Sequence, residues 1–144
     1  MAHSYARVAI HIVFATKGRR NLISDRRQQE LYAYIIGIAR NKGIPVIAVG
    51  GMPNHIHILI GLPGTISFSD AISILKANSS RFMGRVFAWQ KGFGAFSVSH
   101  SQIETVVRYI RKQEEHHKKR SFEEEFLLLL KKAGIDYDPA TVFE

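Results

Sequence analysis

Two histidines in this chain have the spacing of a metal site. His55-Ile56-His57 begins an apolar run that continues to Ile60. Because side chains alternate across a β-strand, a strand here points both imidazoles to one side and Ile56 to the other. Neutral imidazole is the commonest nitrogen ligand of metals, and a strand fixes the separation of the two rings. The triplet therefore predicts two ligands aimed at one ion, although two exposed surface histidines would give the same pattern.

A tyrosine far along the chain is a second candidate for chemistry. Tyr109 and Gln113 are four residues apart in a segment with helical periodicity, so both side chains lie on one helix face beside the apolar stripe. A phenol becomes a nucleophile when it ionises, with an ordinary pKa of about 10. Taken alone, the pair is more typical of a boundary tyrosine and a solvated glutamine than of a site. The apolar stripe consists of Ile103, Val106, Val107 and Ile110.

Composition narrows the kinds of site that this chain can build. Its 144 residues, 46% of them hydrophobic, predict one packed domain over residues 1–144. Cysteine is absent, which excludes disulfides, thiolate nucleophiles and zinc sites built on cysteine, so any metal must be held by nitrogen and oxygen atoms. The net charge is +8, and the basic excess lies in residues 1–100, which favours a polyanion such as nucleic acid as partner.

Membrane association is not expected for this chain. No apolar run approaches the roughly 18 residues that a membrane span needs, and the start Met1–Tyr5 lacks the features of a signal peptide. We therefore predict a cytoplasmic protein.

The order of predicted elements is βαββαβ followed by further helices. Alternating apolar residues predict a strand Arg7–Phe14, a hairpin of Pro45–Val49 and His55–Ile60, and a strand Phe93–Ser99. Capping residues and glycines predict a helix between the first strand and the hairpin, which begins at Asp25 and Gln28 and ends at Gly43, and a second helix, which begins at Ser67 and Asp70 and ends near Gly84. Two helices follow the last strand: Gln102–His117, and one that begins at Ser121 and Glu124 and ends at Gly134. This order predicts an α+β fold with a ferredoxin-like antiparallel sheet and additional C-terminal helices.

Three short motifs carry a resemblance to a known family. They are His11–Lys17 followed by Arg19-Arg20, Pro53–Leu59, and Tyr109–Gln113. In order and spacing they resemble the single-tyrosine HUH transposases of small bacterial insertion sequences (TnpA type, IS200-like), and the resemblance covers nearly the whole chain. It implies the HUH endonuclease fold.

The resemblance also implies an activity and its residues. It implies a DNA transposase that cleaves and rejoins single-stranded DNA at imperfect hairpins through a 5′-phosphotyrosine intermediate. Tyr109 would be the nucleophile, and His55, His57 and Gln113 would hold one divalent ion per active site, Mg²⁺ or Mn²⁺. It further implies a homodimer, in which the Tyr109 helix of one chain can serve the histidine pair of the other.

Three polar residues are candidates for a supporting role around that site. The parity of His11 on the first strand places it beside the histidine pair, where it would orient a ligand or substrate, a surface histidine being the alternative. His116 shares a helix face with Gln113 and competes with it as third ligand. Asn54 stands where many relatives of the family carry aspartate.

Cations and small polar residues supply candidate DNA contacts. Those in the loop after the first strand are Lys17, Arg19 and Arg20, and those on the second predicted helix are Lys76, Ser79 and Arg81. Two other functions remain open for this sequence: a domesticated relative that processes repeated chromosomal hairpins, and a non-catalytic ferredoxin-like module that binds nucleic acid. A two-histidine phosphodiesterase ranks last, because paired His-x-Thr/Ser elements do not accompany His55 and His57.

Overall fold

The computed structural model describes residues 3–144, which form four strands and five α-helices. Met1 and Ala2, part of the start that does not read as a signal peptide, lie outside the described residues. The strands are β1 (Ala9–Ala15), β2 (Val46–Met52), β3 (His55–Gly61) and β4 (Gly94–Val98). The helices are α1 (Asp25–Asn41), α2 (Phe68–Met83), α3 (Ile103–Arg111), α4 (Gln113–His116) and α5 (Phe122–Lys132).

The four strands form one antiparallel sheet in the order β2-β3-β1-β4. This order places the first and third strands side by side at the centre, as the predicted ferredoxin-like arrangement requires. The α+β fold class and the additional C-terminal helices are thereby confirmed. None of the helices in residues 3–144 is long and apolar enough to cross a bilayer.

Helices cover both faces of the sheet, which the alternating pattern of the first strand did not predict. On one face, Ile12, Phe14 and Ile58 pack with residues of α1 and α2. On the other face, Val13 packs against Phe126 of α5, and Leu59 packs against Ile110 of α3. Every residue of β1 is consequently buried, so this strand is not half-buried as expected.

The last helix is held in place by the residues that follow it. Phe143 packs against Phe122 and Phe126, and the Glu144 carbonyl oxygen accepts a hydrogen bond from the Gly92 amide (2.9 Å). Gln90 Nε2 donates to the same oxygen (3.0 Å). The C-terminal segment therefore ties α5 to the loop before β4.

Helix starts follow the predicted capping chemistry with one correction. Ser67 and Ser121 cap α2 and α5 as predicted, and Ser121 forms a full capping box with Glu124. For α1, however, the capping residue is Ser24, whose hydroxyl accepts from the Arg27 amide, so the predicted opening at Asp25 was wrong by one residue. A serine ahead of Asp25 is an equally strong N-cap, and the sequence did not separate them.

The predicted helix Gln102–His117 is divided in two. Lys112 leaves helical geometry (φ −104°, ψ 28°), so α3 ends at Arg111 and the single turn α4 follows. After the break, Gln113 and His117 both lie against His55 of β3. A continuous helix was therefore wrong at the point that matters for the site.

Helix α3 approaches β2 with backbone against backbone. A Cβ atom built on Gly50 would lie 2.4 Å from the Ile110 carbonyl oxygen and 3.0 Å from Ile110 Cγ2. Only glycine allows this approach, because any side chain would collide with the main chain of α3. Gly50 thus sets the distance between the sheet and the helix that carries Tyr109.

Candidate active site

The two histidines lie on the face of the sheet that the C-terminal helices cover. His55 and His57 lie on β3 opposite Ala15 and Val13 of β1, and their side chains point toward α3, α4 and α5. Both side chains are fully buried. The predicted common direction of the two rings is therefore observed, and the alternative of two exposed surface histidines is wrong.

Tyr109 lies beside the histidine pair of its own chain. Its ring centroid is 5.7 Å from that of His57, and its hydroxyl donates a hydrogen bond to Oε2 of Glu125 on α5. Helix α2 and strand β4 separate Tyr109 from His57 in the sequence, yet the fold of one chain brings the two residues together. Exchange of the Tyr109 helix between chains is not needed to complete this group of residues.

Glu125 is the centre of the cluster, and sequence reasoning missed it. Its Oε1 lies 3.0 Å from His57 Nε2, 3.2 Å from His117 Nε2 and 3.4 Å from His55 Nε2. Its Oε2 accepts from the Tyr109 hydroxyl and from Gln113 Nε2 (3.1 Å). The carboxylate has 1% of its surface exposed, so all of its interactions are with protein groups in this structure.

A signal for Glu125 is present in the sequence. It lies three residues after Phe122 and one before Phe126, both of which face the core, so it falls on the apolar face of a helix. A carboxylate in that position must have partners when the helix packs, because glutamate is almost never fully buried unless it is paired.

His55 presents its Nε2 atom to two oxygens. Its Nδ1 donates to Asn54 Oδ1 (2.8 Å), and the Asn54 amide nitrogen is turned toward the Arg19 carbonyl oxygen (3.5 Å). Nε2 then lies 3.0 Å from Gln113 Oε1 and 3.4 Å from Glu125 Oε1. Burial lowers the pKa of His55, which favours the neutral ring. A neutral ring with hydrogen on Nδ1 directs a nitrogen lone pair at these oxygens, an arrangement that a cation would stabilise.

His11 contacts His57 directly. His11 Nε2 and His57 Nδ1 are 2.8 Å apart, and the two rings stack with centroids 5.1 Å apart. His11 is buried, not a surface histidine, and burial together with the neighbouring His57 lowers the pKa of His11 to about 3. The structure therefore places a neutral His11 where it fixes the orientation of the His57 ring, as Asn54 does for His55.

His116, the last residue of α4, and His117, which follows it, take different positions. The His116 ring stacks on Tyr109 with centroids 4.5 Å apart, and its buried Nε2 has no hydrogen-bond partner among residues 3–144. His117 Nε2 lies 3.0 Å from Gln113 Oε1 and 3.2 Å from Glu125 Oε1. His116 therefore lies against the tyrosine, and its neighbour His117, which the sequence analysis did not select, lies against the candidate ligands.

The pKa values of Glu125 and Tyr109 shift in opposite directions, so the proton stays on the phenol. Burial alone would raise the pKa of Glu125, but the three imidazoles of His117, His55 and His57 against its carboxylate outweigh burial and hold that pKa well below its ordinary value. Burial, the hydrogen bond to Glu125 and the negative charge of Glu125 all raise the pKa of Tyr109. In the absence of a further cation, the pair is therefore a neutral phenol beside a carboxylate.

The donor atoms fit a divalent ion. The atoms of His55, His57 and Glu125 that could bind a metal lie within 4.8 Å of one another. Adjacent ligands of an octahedral ion with bonds of about 2.1 Å lie about 3.0 Å apart, which is close to the separations among these nitrogens and oxygens. Gln113 Oε1, the third ligand that the resemblance implies, lies beside them at 3.0 Å from His55 Nε2.

Two of the candidate DNA contacts are engaged inside the protein. Ser79 is buried and its hydroxyl donates to the Leu75 carbonyl oxygen and accepts from Trp89, so the prediction that it contacts DNA was wrong. The Lys76 ammonium donates to the carbonyl oxygens of residues 90–92 at 2.7 to 3.1 Å, and it therefore holds the loop before β4 instead of extending from the surface.

The other candidate contacts are at the surface. Lys17 and Arg20 are exposed in the loop after β1, and Arg81 is exposed on α2, where it donates to Asn78. Arg19 is partly exposed, pairs with Glu123 at 3.8 Å, and lies over the Phe143 ring. These four cations remain available to phosphates, since a surface ion pair such as that of Arg19 is weak.

Stability of the metal-free protein is expected to fall as the pH is lowered from 6.5 toward 3. In this window the unfolded chain protonates His11, whereas the folded chain, with its pKa of about 3, does not. The unfolded state therefore binds more protons, and the free energy of unfolding should decrease by about 2 kcal/mol between pH 6.5 and pH 5. Urea denaturation in the presence of a chelator measures this change. The free energy of unfolding should depend less on pH in His11→Gln, whereas the exposed control His100→Gln should keep the wild-type dependence. An unaltered pH dependence in His11→Gln would contradict the assignment.

Comparisons with known proteins agree with the fold and the motifs. A family model described as "Transposase IS200 like" matches residues 4–113, which is most of the chain. The transposase for insertion sequence element IS200 of Salmonella typhimurium is 26% identical over 87 residues, which cover 60% of this chain and 57% of that protein. The match thus spans little more than half of the Salmonella protein.

Two further relatives cover more of the chain. The ISDra2 transposase TnpA of Deinococcus radiodurans is 23% identical over 114 residues, covering 72% of this chain and 81% of that protein. A solved structure of a REP-associated tyrosine transposase bound to a REP hairpin superimposes with a TM-score of 0.65 at 22% identity, covering 81% of this chain and 73% of that one. The fold, the order of the motifs and the family match agree, and the chain belongs to the IS200-like transposase family.

Proposed function

We propose that this chain is a metal-dependent transposase that cleaves and rejoins single-stranded DNA at imperfect hairpins, with Tyr109 as nucleophile. The observation that carries the proposal is the carboxylate that Tyr109 shares with the two histidines. Oε2 of Glu125 accepts a hydrogen bond from the Tyr109 hydroxyl, and Oε1 lies against both His55 and His57. A phenol and two candidate metal ligands therefore meet at one buried group. This is the arrangement that attack on a metal-bound phosphodiester requires.

We assign the metal to His55, His57 and Glu125, with Gln113 Oε1 at their side. A divalent ion held there, Mg²⁺ or Mn²⁺, would polarise a phosphate oxygen and offset the charge that develops during attack. Glu125 gives this set one negative charge, whereas the set that the resemblance implies, two imidazoles and an amide, is neutral. The carboxylate strengthens binding of a divalent ion, because opposite charges attract more strongly in a buried site.

Tyr109 is positioned and kept protonated by the same carboxylate. Attack of its oxygen on phosphorus forms the 5′-phosphotyrosine bond and expels the 3′-hydroxyl group of the preceding nucleotide. Glu125 Oε2 accepts the phenolic hydrogen bond and thereby orients the attacking oxygen. The phenol loses its proton in this step and the departing 3′-oxygen gains one, and a divalent ion in the site would favour ionisation of the phenol. Reversal by a new 3′-hydroxyl rejoins the strands without an external energy source, because the phenolate is a good leaving group.

A covalent adduct tests the function directly. We expect the full chain, incubated with a hairpin-bearing single-stranded oligonucleotide and Mn²⁺, to form a conjugate that survives denaturation. The chelated sample and Tyr109→Phe should form none, because one lacks the ion and the other lacks the nucleophilic oxygen. The exposed Tyr137→Phe is the matched control and should react like the wild type. DNA binding without any conjugate would instead support a non-catalytic nucleic-acid-binding module.

We propose that cleavage occurs in cis, because one chain supplies every residue of the cluster. Mixing Tyr109→Phe with the His55→Ala/His57→Ala variant distinguishes the two arrangements. Cleavage in cis predicts no activity in the mixture, since each chain has a defective site of its own. Recovered activity would show that chains exchange the Tyr109 helix in a homodimer, as the resemblance implies.

The second candidate, processing of chromosomal hairpins by a domesticated relative, is favoured by the similarity to a REP-associated transposase bound to a REP hairpin. The DNA around the coding sequence distinguishes the two roles. A mobile copy should lie between short subterminal hairpins, whereas a domesticated copy should lack them and act on repeats elsewhere in the chromosome.

A further inference from the structure

We propose that His117 is a metal ligand, so that the ion is held by three imidazoles and one carboxylate. This inference deepens the proposed function and rests on its metal site. His117 follows the helix turn α4 and lies outside residues 4–113, the part of the chain that the family match covers. Its side chain has 7% of its surface exposed. Its position is therefore a property of this chain's C-terminal region.

The hydrogen bonds of His117 fix which nitrogen faces the site. Nδ1 lies 2.9 Å from the Arg120 carbonyl oxygen, which can only accept, so Nδ1 carries a hydrogen. Nε2 is therefore the ring atom that faces the cluster, 3.0 Å from Gln113 Oε1 and 3.2 Å from Glu125 Oε1. Separations of about 3 Å are those of adjacent ligands around one divalent ion with bonds of about 2.1 Å. These three atoms are thus spaced to share one cation.

His55 shows the same arrangement from the opposite side of the cluster. Its Nδ1 is occupied by Asn54, and its Nε2 faces the same two oxygens at 3.0 and 3.4 Å. The His55 and His117 rings lie with centroids 4.6 Å apart. In both rings, an oxygen holds Nδ1 and Nε2 faces the cluster. Metal-bound histidines usually have this arrangement, in which a hydrogen bond at the non-coordinating nitrogen fixes the orientation of the ring.

The additional imidazole has a consequence for metal choice. Imidazole suits transition-metal ions, whereas Mg²⁺ prefers oxygen ligands and keeps several waters. A site with three imidazoles and one carboxylate should therefore prefer Mn²⁺ over Mg²⁺ more strongly than a site with two. His117 is the residue that sets this preference.

Binding of Mn²⁺ to the full chain, measured by calorimetry, tests the role of His117. We expect His117→Ala to weaken Mn²⁺ binding by about 10- to 100-fold and to reduce the preference for Mn²⁺ over Mg²⁺. His100→Ala, at an exposed histidine outside the cluster, is the control for metal binding and should retain the wild-type affinity. Pulsed EPR of Mn²⁺ bound to the wild-type protein should detect three coordinated imidazoles, a readout that does not depend on the variant folding.

Thermal unfolding separates a ligand from a structural ion pair with Glu125. A ligand predicts that Mn²⁺ raises the unfolding temperature less in His117→Ala than in the wild type, because the gain depends on the affinity. An ion pair alone predicts equal destabilisation with chelator and with Mn²⁺, unchanged Mn²⁺ affinity, and two imidazoles by EPR. That result would overturn the inference while leaving the proposed function intact. Failure of the wild type to bind Mn²⁺ would instead overturn the metal site of the proposed function.

A cavity beside Tyr109 carries a second inference. It has a volume of about 210 Å³, and its lining includes Tyr109 and His11 beside the buried Glu125. Arg120 and Lys132 are its cationic lining residues, and both are exposed. Neither has an acidic partner within 4.0 Å in residues 3–144. The cavity thus combines two available cations with the nucleophile.

The geometry points to a binding site for a backbone phosphate of the cleaved DNA strand, in support of the proposed function. Among residues 3–144, Glu125 is the only acidic residue that lines the cavity, and its negative charge would repel a phosphodiester near Tyr109. Arg120 and Lys132 offset that repulsion and would hold the phosphate by charge-assisted hydrogen bonds. The one further basic side chain of the lining in the described part of the chain is His11, whose pKa of about 3 leaves it neutral.

The salt dependence of binding to a single-stranded hairpin oligonucleotide tests this site. Each lost phosphate contact should reduce the slope of log affinity against log salt by about 0.7, so Arg120→Gln/Lys132→Gln should reduce it by about 1.4. The control Lys119→Gln/Lys131→Gln changes two adjacent cations outside the cavity and should have a smaller effect. The single variant Arg120→Lys keeps the positive charge and should therefore retain most of the wild-type slope.

The same variants distinguish the site from the function. Equal slopes for the two double variants would overturn the phosphate site, even if the wild type forms the covalent adduct. A reduced slope in the cavity variant alone would support the site, even if no adduct formed and the proposed catalysis failed.

Discussion

Replacing Glu125 with glutamine is expected to abolish detectable Mn²⁺ binding at micromolar ion and to lower covalent adduct formation by about 10²- to 10³-fold. The carboxylate is buried and lies against three imidazole nitrogens, so its charge is not shared with solvent. Glutamine keeps the shape and one acceptor oxygen but removes the charge that attracts the ion. Calorimetry and quantification of the denaturation-resistant conjugate measure the two effects.

A neighbouring glutamate provides the control for Glu125. Glu123→Gln removes the same charge two residues earlier on α5, where the carboxylate is partly exposed and pairs with Arg19 at 3.8 Å. That variant should bind Mn²⁺ and react with DNA as the wild type does, because a surface ion pair contributes little. A Glu125→Gln protein with wild-type Mn²⁺ affinity would remove Glu125 from the ligand set.

Replacing Gly50 with alanine is expected to lower cleavage by about 10²-fold, although Gly50 contacts no substrate. The new Cβ would lie 2.4 Å from the Ile110 carbonyl oxygen, so α3 must move away by about 1 Å to restore an ordinary contact. Tyr109 precedes Ile110 on that helix and would move with it. Misplacement of a nucleophile by this distance is enough for the expected loss. Adduct formation and thermal unfolding of the variant measure the two effects.

Gly37 is the control for that substitution. A Cβ built on Gly37 of α1 meets no atom within 4 Å, so Gly37→Ala should leave cleavage unchanged and stabilise the helix by up to about 1 kcal/mol. Wild-type adduct formation in Gly50→Ala would show that α3 tolerates displacement, and it would contradict the role of this close approach.

Local patterns in the sequence predicted the elements of the sheet and one half of the site. Alternation in the first and third strands placed His11 beside His57 and aimed His55 and His57 at one point, and the structure has these contacts. Such predictions succeed because strand parity depends only on neighbouring residues. The same parity argument says nothing about what covers the sheet, so the burial of the pair was not predicted.

The other half of the site depends on how distant helices pack. Glu125 and His117 belong to segments that resemble a solvated, charged helix end in sequence, and their partners on β3 are about 60 residues away in the chain. The break at Lys112 was also not predicted, because no glycine or proline marks it. Placement of these residues required the tertiary structure, because the last motif that carries the resemblance ends at Gln113.

The tie between the C-terminal segment and α5 has a consequence for synthesis of the protein. The nucleophile, the central carboxylate and the anchor at Phe143 all emerge from the ribosome after the sheet. A nascent chain therefore has its histidines in place before Tyr109 and Glu125 emerge, and its Val13 face stays uncovered until α5 and Phe143 dock. Completion of the cluster around Glu125 and protection of this apolar face from aggregation would then arrive together, when α5 folds onto the sheet.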